Sequence, residues 1–319
     1  MKQRAFGNSG LTTSVIGLGG NNFGGRMDFE ASRAVIHKAL DLGITLFDTA
    51  DIYPMGNCGG SEEYLGRVLG DRRKDIIVAT KFGHARDDSS ESARTSRRHI
   101  ISAVEASLKR LNTDWIDLYQ IHQPDPRTPI EETLRALDDL IRHGKVRYIG
   151  CSNFASWQVV DALWTSRHLG LNALVSCQDE YSLLVRGIER ELIPAMHSHG
   201  LGLMPYFPLA SGLLTGKYKR NAPAPEGARL TRAPALSKRF MTDANLQRIE
   251  RLEQFCGDRG HSLLELAFSW LLAHPAVTSV VAGSSTPAQL ELNVQAVNWA
   301  ISSQDMAEID RITTWARET

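Results

Sequence analysis

The alternation of two kinds of segment constrains the fold of this chain most. Short apolar runs rich in β-branched residues alternate with longer segments of helical periodicity, and eight such steps can be traced along the sequence. Alternating strands and helices favour a parallel sheet with right-handed crossovers. Eight steps in 319 residues predict one α/β domain over residues 1–319, a closed (β/α)8 barrel of the TIM type. An open, doubly wound sheet is the alternative.

The predicted elements follow this rhythm. The eight predicted strands are 15–18, 45–47, 76–80, 115–121, 146–151, 173–177, 201–206 and 277–282. The helices predicted after them are 29–42, 61–69, 96–111, 129–143, 156–169, 189–199, 262–273 and 288–296, with an additional helix at 243–256. Residues 2–13 contain the turn cluster Gly-Asn-Ser-Gly, which predicts an N-terminal hairpin across the barrel floor.

Long loops are expected at the carboxyl ends of the strands. Residues 219–238 are rich in Pro, Ala, Arg and Gly and show little periodicity. A stretch of this length in a compact domain is typical of a lid or binding loop, and disorder is the alternative. With 21–26, 51–58 and 84–94, this segment is expected to determine substrate specificity, although none of the four carries a signature that identifies a substrate.

Composition excludes several classes of protein. Lys plus Arg equals Asp plus Glu, at 36 each, and no basic cluster suggests a nucleic-acid partner. The four cysteines form no CxxC pair and predict reduced thiols, while the N-terminus lacks the apolar region of a signal peptide. No apolar run approaches a membrane span. We expect a cytoplasmic protein that acts on a small molecule; the sequence leaves a homo-oligomer open.

Four polar residues coincide with three predicted strand ends. Asp48 ends the second strand, Tyr53 follows it, Lys81 follows the third strand and His122 follows the fourth. Functional groups of (β/α)8 barrels lie at these ends, so the four are expected to meet on one rim. Each residue alone could be structural, as a loop cap or an ion-pair partner, but four on neighbouring strands are harder to explain in that way.

This set has a coherent acid–base chemistry. A nearby ammonium favours the phenolate, so Lys81 is expected to lower the pKa of Tyr53, and Asp48 is expected to hold Lys81. His122 can donate a hydrogen bond to a substrate carbonyl oxygen. A metal site is not predicted, because a lysine in the same site opposes a cation.

Longer motifs resemble the aldo-keto reductase family along essentially the whole chain. The matching segments are FDTADIY (47–53), GGSEE (59–63), ATKFG (79–83), SLKRLNTDWIDLYQIH (107–122), GKVRYIGCSNF (144–154), YFPLASGLLTGKY (206–218) and AGSSTPAQLELN (282–293). The motifs resemble the bacterial and potassium-channel β-subunit branch of the family. The resemblance implies a (β/α)8 barrel that binds extended NADP(H) without a Rossmann domain.

The resemblance also implies roles for individual residues. Tyr53 would be the general acid in reduction and the base in oxidation, Asp48 and Lys81 would tune it, and His122 would aid carbonyl binding. Residues implied to bind the cofactor are Ser152, Asn153 and Gln178 at the carboxamide, Tyr206 against the nicotinamide ring, Pro208, Leu209, Ser211, Gly212 and Leu213 over the pyrophosphate, and Gly283, Ser284, Ser285, Gln289 and Asn293 at the adenosine end.

The adenosine end departs from the family pattern. Many members place Lys or Arg beside the 2′-phosphate, whereas this chain has glycine, two serines and Gln289 there. Hydroxyl and amide groups hold a phosphate less strongly than a guanidinium does. NADP(H) is favoured by the resemblance, and NAD(H) is the alternative.

Gly17, Gly19 and Gly20 lie at the end of a predicted strand and partly match the dinucleotide-binding pattern GxGxxG. The third glycine of that pattern would stand at position 22, which is Asn. A tight loop at the substrate mouth is the preferred interpretation. The substrate-side candidates near it are Asn21, Asn22, Phe23, Met55, Phe82 and His84.

The leading functional hypothesis is reversible hydride transfer between a nicotinamide and an aldehyde, ketone or sugar-type carbonyl. The alternative is a regulatory, redox-sensing subunit that binds the cofactor and turns over weakly. Metal-assisted hydrolysis fits the residues poorly.

Overall fold

Eight parallel strands form the centre of the protein. The computed structural model describes residues 1–84, 93–220 and 222–313. Two short strands, β1 (Gln3–Ala5) and β2 (Thr12–Ser14), precede the main sheet. The strands of the main sheet are β3 (Ile16–Gly19), β4 (Leu46–Asp48), β5 (Ile77–Phe82), β6 (Ile116–Ile121), β7 (Val146–Ser152), β8 (Leu174–Glu180), β9 (Gly202–Tyr206) and β10 (Val280–Ala282).

The main sheet curls into a nearly closed barrel. Its strand order is β10-β3-β4-β5-β6-β7-β8-β9, and every neighbouring pair is parallel. Leu203 of β9 forms a parallel bridge with Val277, just before β10, and so brings the two edges of the sheet together. This arrangement confirms the predicted (β/α)8 barrel and contradicts the alternative of an open sheet.

Helices surround the barrel. They are α1 (Phe29–Asp41), α2 (Gly60–Leu69), α3 (Arg97–Leu111), α4 (Ile130–Arg142), α5 (Ser156–Leu169), α6 (Leu192–His199), α7 (Arg229–Arg232), α8 (Pro234–Phe240), α9 (Asp243–Gly257), α10 (Leu263–Ala273), α11 (Pro287–Gln295) and α12 (Ser303–Thr313). Side chains cap several of them: Ser262 accepts from the Glu265 amide at the start of α10. None of the described helices combines the length and apolar character that crossing a membrane requires.

The N-terminal hairpin closes one end of the barrel. Strands β1 and β2 pair antiparallel, and the turn between them carries Phe6 and Leu11. Both side chains are buried against barrel residues such as Leu46, Leu118 and Met204. The predicted floor is therefore confirmed, and a site open to ligands has to lie at the opposite end, where the strands finish.

Three segments differ from the sequence prediction. Residues 219–238, predicted to be irregular, include α7 and most of α8. Helix α12 was not predicted; its buried side chains are Ile309, Ile312 and Thr313. The predicted helix at 189–199 is divided: a 3-10 turn at Gly187–Glu189 precedes α6. Part of the predicted loop at 84–94, residues 85–92, lies outside the described residues.

Candidate active site

Polar side chains occupy the carboxyl ends of the consecutive strands β4 to β9. Asp48, Ser152 and Tyr206 are the last residues of β4, β7 and β9. Lys81 lies one residue before the end of β5, and His122 directly follows β6. Parallel strands end on the same side of a barrel, so the fold brings the predicted residues to one rim.

Lys81 and Asp48 form a buried ion pair on this rim. The Lys81 Nζ atom lies 2.7 Å from Asp48 Oδ1 and 2.9 Å from Oδ2. It also donates to the Thr49 carbonyl oxygen at 2.8 Å, so all three ammonium donors have acceptors. Gln178 Nε2 donates to Asp48 Oδ1 at 2.8 Å. The carboxylate is thus fixed from two sides, and the ammonium cannot turn away from it.

Tyr53 lies beside this pair. Its ring centroid is 5.2 Å from Lys81 Nζ and 5.7 Å from the centroid of the His122 ring, which it meets edge-on. Burial raises the pKa of Tyr53, Lys81 acts to lower it and Asp48 to raise it. The predicted effect of Lys81 is therefore present, but the net pKa shift is upward because desolvation of the phenolate outweighs it.

His122 is an uncharged imidazole in this environment. Burial, followed by the positive charge of Lys81 and by His84, lowers the pKa of His122 to about 2. Its Nδ1 atom is buried and has no hydrogen-bond partner among the described residues. The His84 ring lies 4.8 Å away, centroid to centroid. A neutral imidazole can donate one hydrogen bond and carries no charge that would repel Lys81.

A second group of polar residues continues the rim. Ser152 Oγ donates to the Gln178 carbonyl oxygen at 2.7 Å. Asn153 has a φ of 61°, and its Nδ2 donates to the His122 carbonyl oxygen at 3.0 Å. Tyr206 donates its hydroxyl hydrogen to Asn153 Oδ1 at 2.8 Å. The side chains predicted to hold a nicotinamide carboxamide and ring therefore belong to one hydrogen-bonded group.

The loop after β9 has an unusual backbone. Positive φ angles occur at Phe207 (51°), Ala210 (45°), Ser211 (59°) and Gly212 (95°). Turns with left-handed residues can form an anion-binding concavity, but the Ala210 and Gly212 amides here donate to the Phe207 and Leu209 carbonyl oxygens. The buried Ser211 Oγ has no hydrogen-bond partner among the described residues. An unpaired buried hydroxyl here fits the pyrophosphate position predicted for residues 208–213.

Two cations near this loop were missed in the sequence. Lys217 lies beside Gly212: a Cβ placed on that glycine would be 3.5 Å from the Lys217 Nζ. Arg229 of α7 stacks over the Phe207 ring, 4.9 Å from its centroid, and its buried Nε has no partner. Burial lowers the pKa of both groups. Within the described chain, neither cation has a carboxylate in salt-bridge range.

The proposed adenosine end lies at the start of α11. Thr286 caps this helix by accepting from the Gln289 amide. Gln289 Oε1 accepts from the Ser285 amide at 2.9 Å, and Asn293 Nδ2 donates to Ser284 Oγ at 3.1 Å. The fold brings these predicted residues together at a helix N-terminus, where an anion is favoured.

The substrate-side candidates divide into two groups. Met55 is exposed, and Asn21 and His84 are half-buried. Phe23 and Phe82 are fully buried, and Asn22 is nearly so. The Phe82 ring stacks on the Tyr119 ring, with 4.7 Å between the two centroids. Both rings lie in the layer between the strands and the helices. The structure therefore does not bring Phe23 or Phe82 to the open mouth.

Comparison with known proteins gives consistent findings. A family model described as "Aldo/keto reductase family" matches residues 15–314. The chain is 35% identical over 304 residues to a probable voltage-gated potassium channel subunit beta of Oryza sativa, covering 93% of this chain and 92% of the relative. It is 35% identical over 322 residues to the L-glyceraldehyde 3-phosphate reductase of Escherichia coli K12, covering 98% of this chain and 92% of that reductase. An uncharacterized oxidoreductase of Bacillus subtilis is 36% identical to this chain over 325 residues, which cover 98% of this chain and 96% of the oxidoreductase.

Proposed function

The chain belongs to the aldo/keto reductase family, and we propose that it catalyses reversible hydride transfer between NADP(H) and an aldehyde, ketone or sugar-type carbonyl. The observation that carries this proposal is the buried Lys81–Asp48 pair next to Tyr53 and an uncharged His122. Together these groups supply a proton donor and a hydrogen-bond donor for a carbonyl oxygen.

Tyr53 moves the proton. Because its pKa is raised by burial, the hydroxyl stays protonated at neutral pH and can donate to the carbonyl oxygen during reduction. The positive charge of Lys81, held by Asp48, limits this rise and stabilises the phenolate that forms. In the oxidation direction the same phenolate accepts the alcohol proton.

His122 orients the substrate. With a pKa of about 2 it is neutral at physiological pH, so it donates a hydrogen bond without adding a second positive charge beside Lys81. A neutral donor at the developing alkoxide adds electrostatic stabilisation and leaves proton transfer to Tyr53.

The residues present fit a dinucleotide cofactor. Ser152, Asn153 and Gln178 would hold the carboxamide, and Tyr206 would pack against the nicotinamide. Ser211, Lys217 and Arg229, which include unpaired buried donors, would hold the phosphates. When bound, the cofactor supplies or accepts the hydride. These cations favour the anionic dinucleotide, and the family resemblance favours NADP(H) over NAD(H).

A purely regulatory role is not favoured. Relatives include proteins named as channel β subunits, but this chain carries the complete set of Asp48, Tyr53, Lys81 and His122 in one place. A reductase named for L-glyceraldehyde 3-phosphate is as similar to this chain as the rice channel subunit is.

The Tyr53→Phe variant tests the proposal. Turnover of NADPH with a panel of aldehydes, ketones and phosphorylated aldoses should fall by at least about 100-fold in this variant. NADPH binding, measured by fluorescence titration, should stay within about two-fold, because the phenol hydroxyl is assigned to the substrate. Wild-type protein that binds NADPH but never oxidises it, or a variant with unchanged turnover, would contradict the proposed function.

A further inference from the structure

A cavity lies between the first turns of helices α4 and α5, on the outer side of the barrel. Its volume is about 160 Å³, and its wall includes Ile121 at the end of β6 and Phe154 just after β7. In the chain, Ile121 directly precedes His122 and Phe154 directly follows Asn153. The cavity therefore adjoins the candidate active site, although none of the side chains assigned to the reaction or to the cofactor lines it.

Two aromatic side chains contribute to the wall of this cavity. Phe154 is buried, whereas the side chain of Trp157 is 68% exposed. Among the described residues, no cation lies over the Trp157 ring. The exposed Trp164 of the same helix differs, because the Arg167 guanidinium carbon lies 5.6 Å from its ring centroid. The cavity thus has an aromatic wall whose indole is available to a cation from outside the chain.

The charged side chains that line the cavity are acidic. Asp125 and Asp161 belong to its lining, and none of the described lysines, arginines or histidines does. Helix α4 begins beside the cavity, but the positive end of its dipole is offset by Glu131 and Glu132 in its first turn. The local charge therefore favours a cation over an anion.

The Asp125 carboxylate is charged but has no acceptor site left for a ligand. Its Oδ1 accepts from the Arg127 amide at 3.0 Å, and its Oδ2 accepts from the Thr95 amide at 3.1 Å and the Thr128 hydroxyl at 3.2 Å. The Arg94 amide also donates to this carboxylate. Burial alone would raise the pKa of Asp125, but these hydrogen bonds hold it below its usual value. Because a carboxylate has about four lone-pair sites, Asp125 can attract a cation through its charge but cannot accept further N–H bonds.

We propose that this cavity binds a quaternary ammonium ligand, an organic cation with a trimethylammonium group and no N–H. The methyl groups would contact Phe154 and the Trp157 ring, and the two aspartates would supply the opposite charge. Aromatic rings recognise quaternary ammonium groups in this way. A primary ammonium is strongly hydrated and needs acceptors for three N–H groups, which Asp125 does not offer. The proposal is independent of the reaction proposed for the barrel, because binding is measured without turnover.

Isothermal titration calorimetry of the full chain with choline chloride tests the site. Choline should bind with a dissociation constant of about 1 mM or lower. Two analogues separate the contributions: 3,3-dimethylbutan-1-ol has the shape of choline without its charge, and ethanolamine has the charge without the methyl groups. Each should bind at least about ten-fold more weakly than choline. Choline binding should persist at saturating NADPH, because the cavity lies outside the proposed cofactor site.

Variants of exposed side chains locate the binding. Trp157→Ala should raise the dissociation constant for choline at least about ten-fold, and Trp157→Phe, which keeps an aromatic face, by no more than about three-fold. Asp161→Asn should raise it by about three-fold, because it removes one exposed charge. Trp164→Ala, which truncates the other exposed tryptophan of α5, is the matched control and should leave the constant unchanged. Thermal unfolding of each variant should match wild type.

Four outcomes would overturn the proposal. The first is no binding of choline at about 20 mM. The second is a neutral alcohol or a primary amine that binds as tightly as choline, which would show that the cavity does not select a quaternary ammonium group. The third is an equal effect of Trp157→Ala and Trp164→Ala, which would place the binding elsewhere. The fourth is loss of choline binding at saturating NADPH, which would place choline in the active site.

Discussion

The ammonium group of Lys81 contacts both carboxylate oxygens of Asp48, at 2.7 and 2.9 Å, and both side chains are buried. The two charges act on Tyr53 in opposite directions: Lys81 lowers its pKa and Asp48 raises it. The pair therefore adjusts the pKa of the proton donor in two opposite directions, in addition to the larger effect of burial. If one partner is removed, the other shifts the pKa of Tyr53 without an opposing charge.

We predict opposite pH shifts for two variants. Oxidation of an alcohol requires the Tyr53 phenolate, so its rate should rise with pH up to the raised pKa of this group. Lys81→Met removes the charge that lowers this pKa and should move the rising limb to higher pH; Asp48→Asn should move it to lower pH. Plots of kcat/KM for oxidation against pH would measure both. Shifts in the same direction would contradict the assigned roles.

A second prediction concerns His122 and stability. The unfolded imidazole takes up a proton below about pH 6.5, whereas the folded one, with a pKa of about 2, does not. The unfolded state therefore binds more protons as the pH falls, and the contribution of the neutral His122 to stability, present above about pH 6.5, is lost progressively below it. His122→Gln should remove a dependence of the free energy of unfolding of about 1.4 kcal/mol per pH unit between roughly pH 5 and 4.

Urea unfolding of wild type and His122→Gln at several pH values would measure this difference. His168→Gln, at an exposed histidine of α5, is a matched control in which the slope due to His122 should remain. Equal pH slopes in wild type and His122→Gln would show that the buried imidazole is protonated in the folded protein.

The third prediction tests the cations near the loop after β9. Arg229→Gln should raise the dissociation constant for NADPH at least about ten-fold, because a half-buried guanidinium whose buried Nε has no partner within the protein would lose its phosphate partner. Arg232→Gln, an exposed residue of the same helix, should change it by less than about two-fold. Fluorescence titrations without substrate would measure both. Equal effects of the two variants would contradict a role for Arg229 in binding phosphate.

Periodicity explains which parts of this site could be predicted from the sequence. Asp48, Lys81 and His122 lie at or next to the ends of strands whose apolar patterns are clear, so the barrel alone places them on one rim. Arg229 lies in a segment without periodicity, and its stacking on Phe207 depends on how that segment folds back.

Burial also depends on contacts that no local pattern shows. Desolvation, which raises the pKa of Tyr53, depends on how the folded chain surrounds this half-buried side chain. Phe82 follows Lys81 but points between strands and helices, because successive side chains of a strand alternate. Strand alternation applied to the predicted third strand could have indicated this. The burial of Tyr53 could not have been found in that way.

A second ion pair, between a buried carboxylate and a partly exposed arginine, supports the strand that carries Lys81, and it leads to the last prediction. Glu62 of α2 is fully buried; its Oε2 accepts from Arg110 Nε of α3 at 2.7 Å, and its Oε1 accepts from Thr80 Oγ1 of β5 at 2.6 Å. The Glu62 carboxylate thus connects helices α2 and α3 to strand β5 at Thr80, the residue before Lys81. Removing only the cation leaves an uncompensated charge in a low-dielectric site.

Arg110→Leu should therefore lower the free energy of unfolding by about 3 to 5 kcal/mol, measured by urea denaturation. The double variant Glu62→Gln with Arg110→Leu should recover part of this loss, because no charge stays buried without a partner. Arg135→Leu, which breaks the exposed pair with Glu131, should lower it by no more than about 0.5 kcal/mol. If Arg110→Leu has as small an effect as Arg135→Leu, the Glu62 carboxylate is either protonated or hydrated, and it does not anchor β5 through its charge.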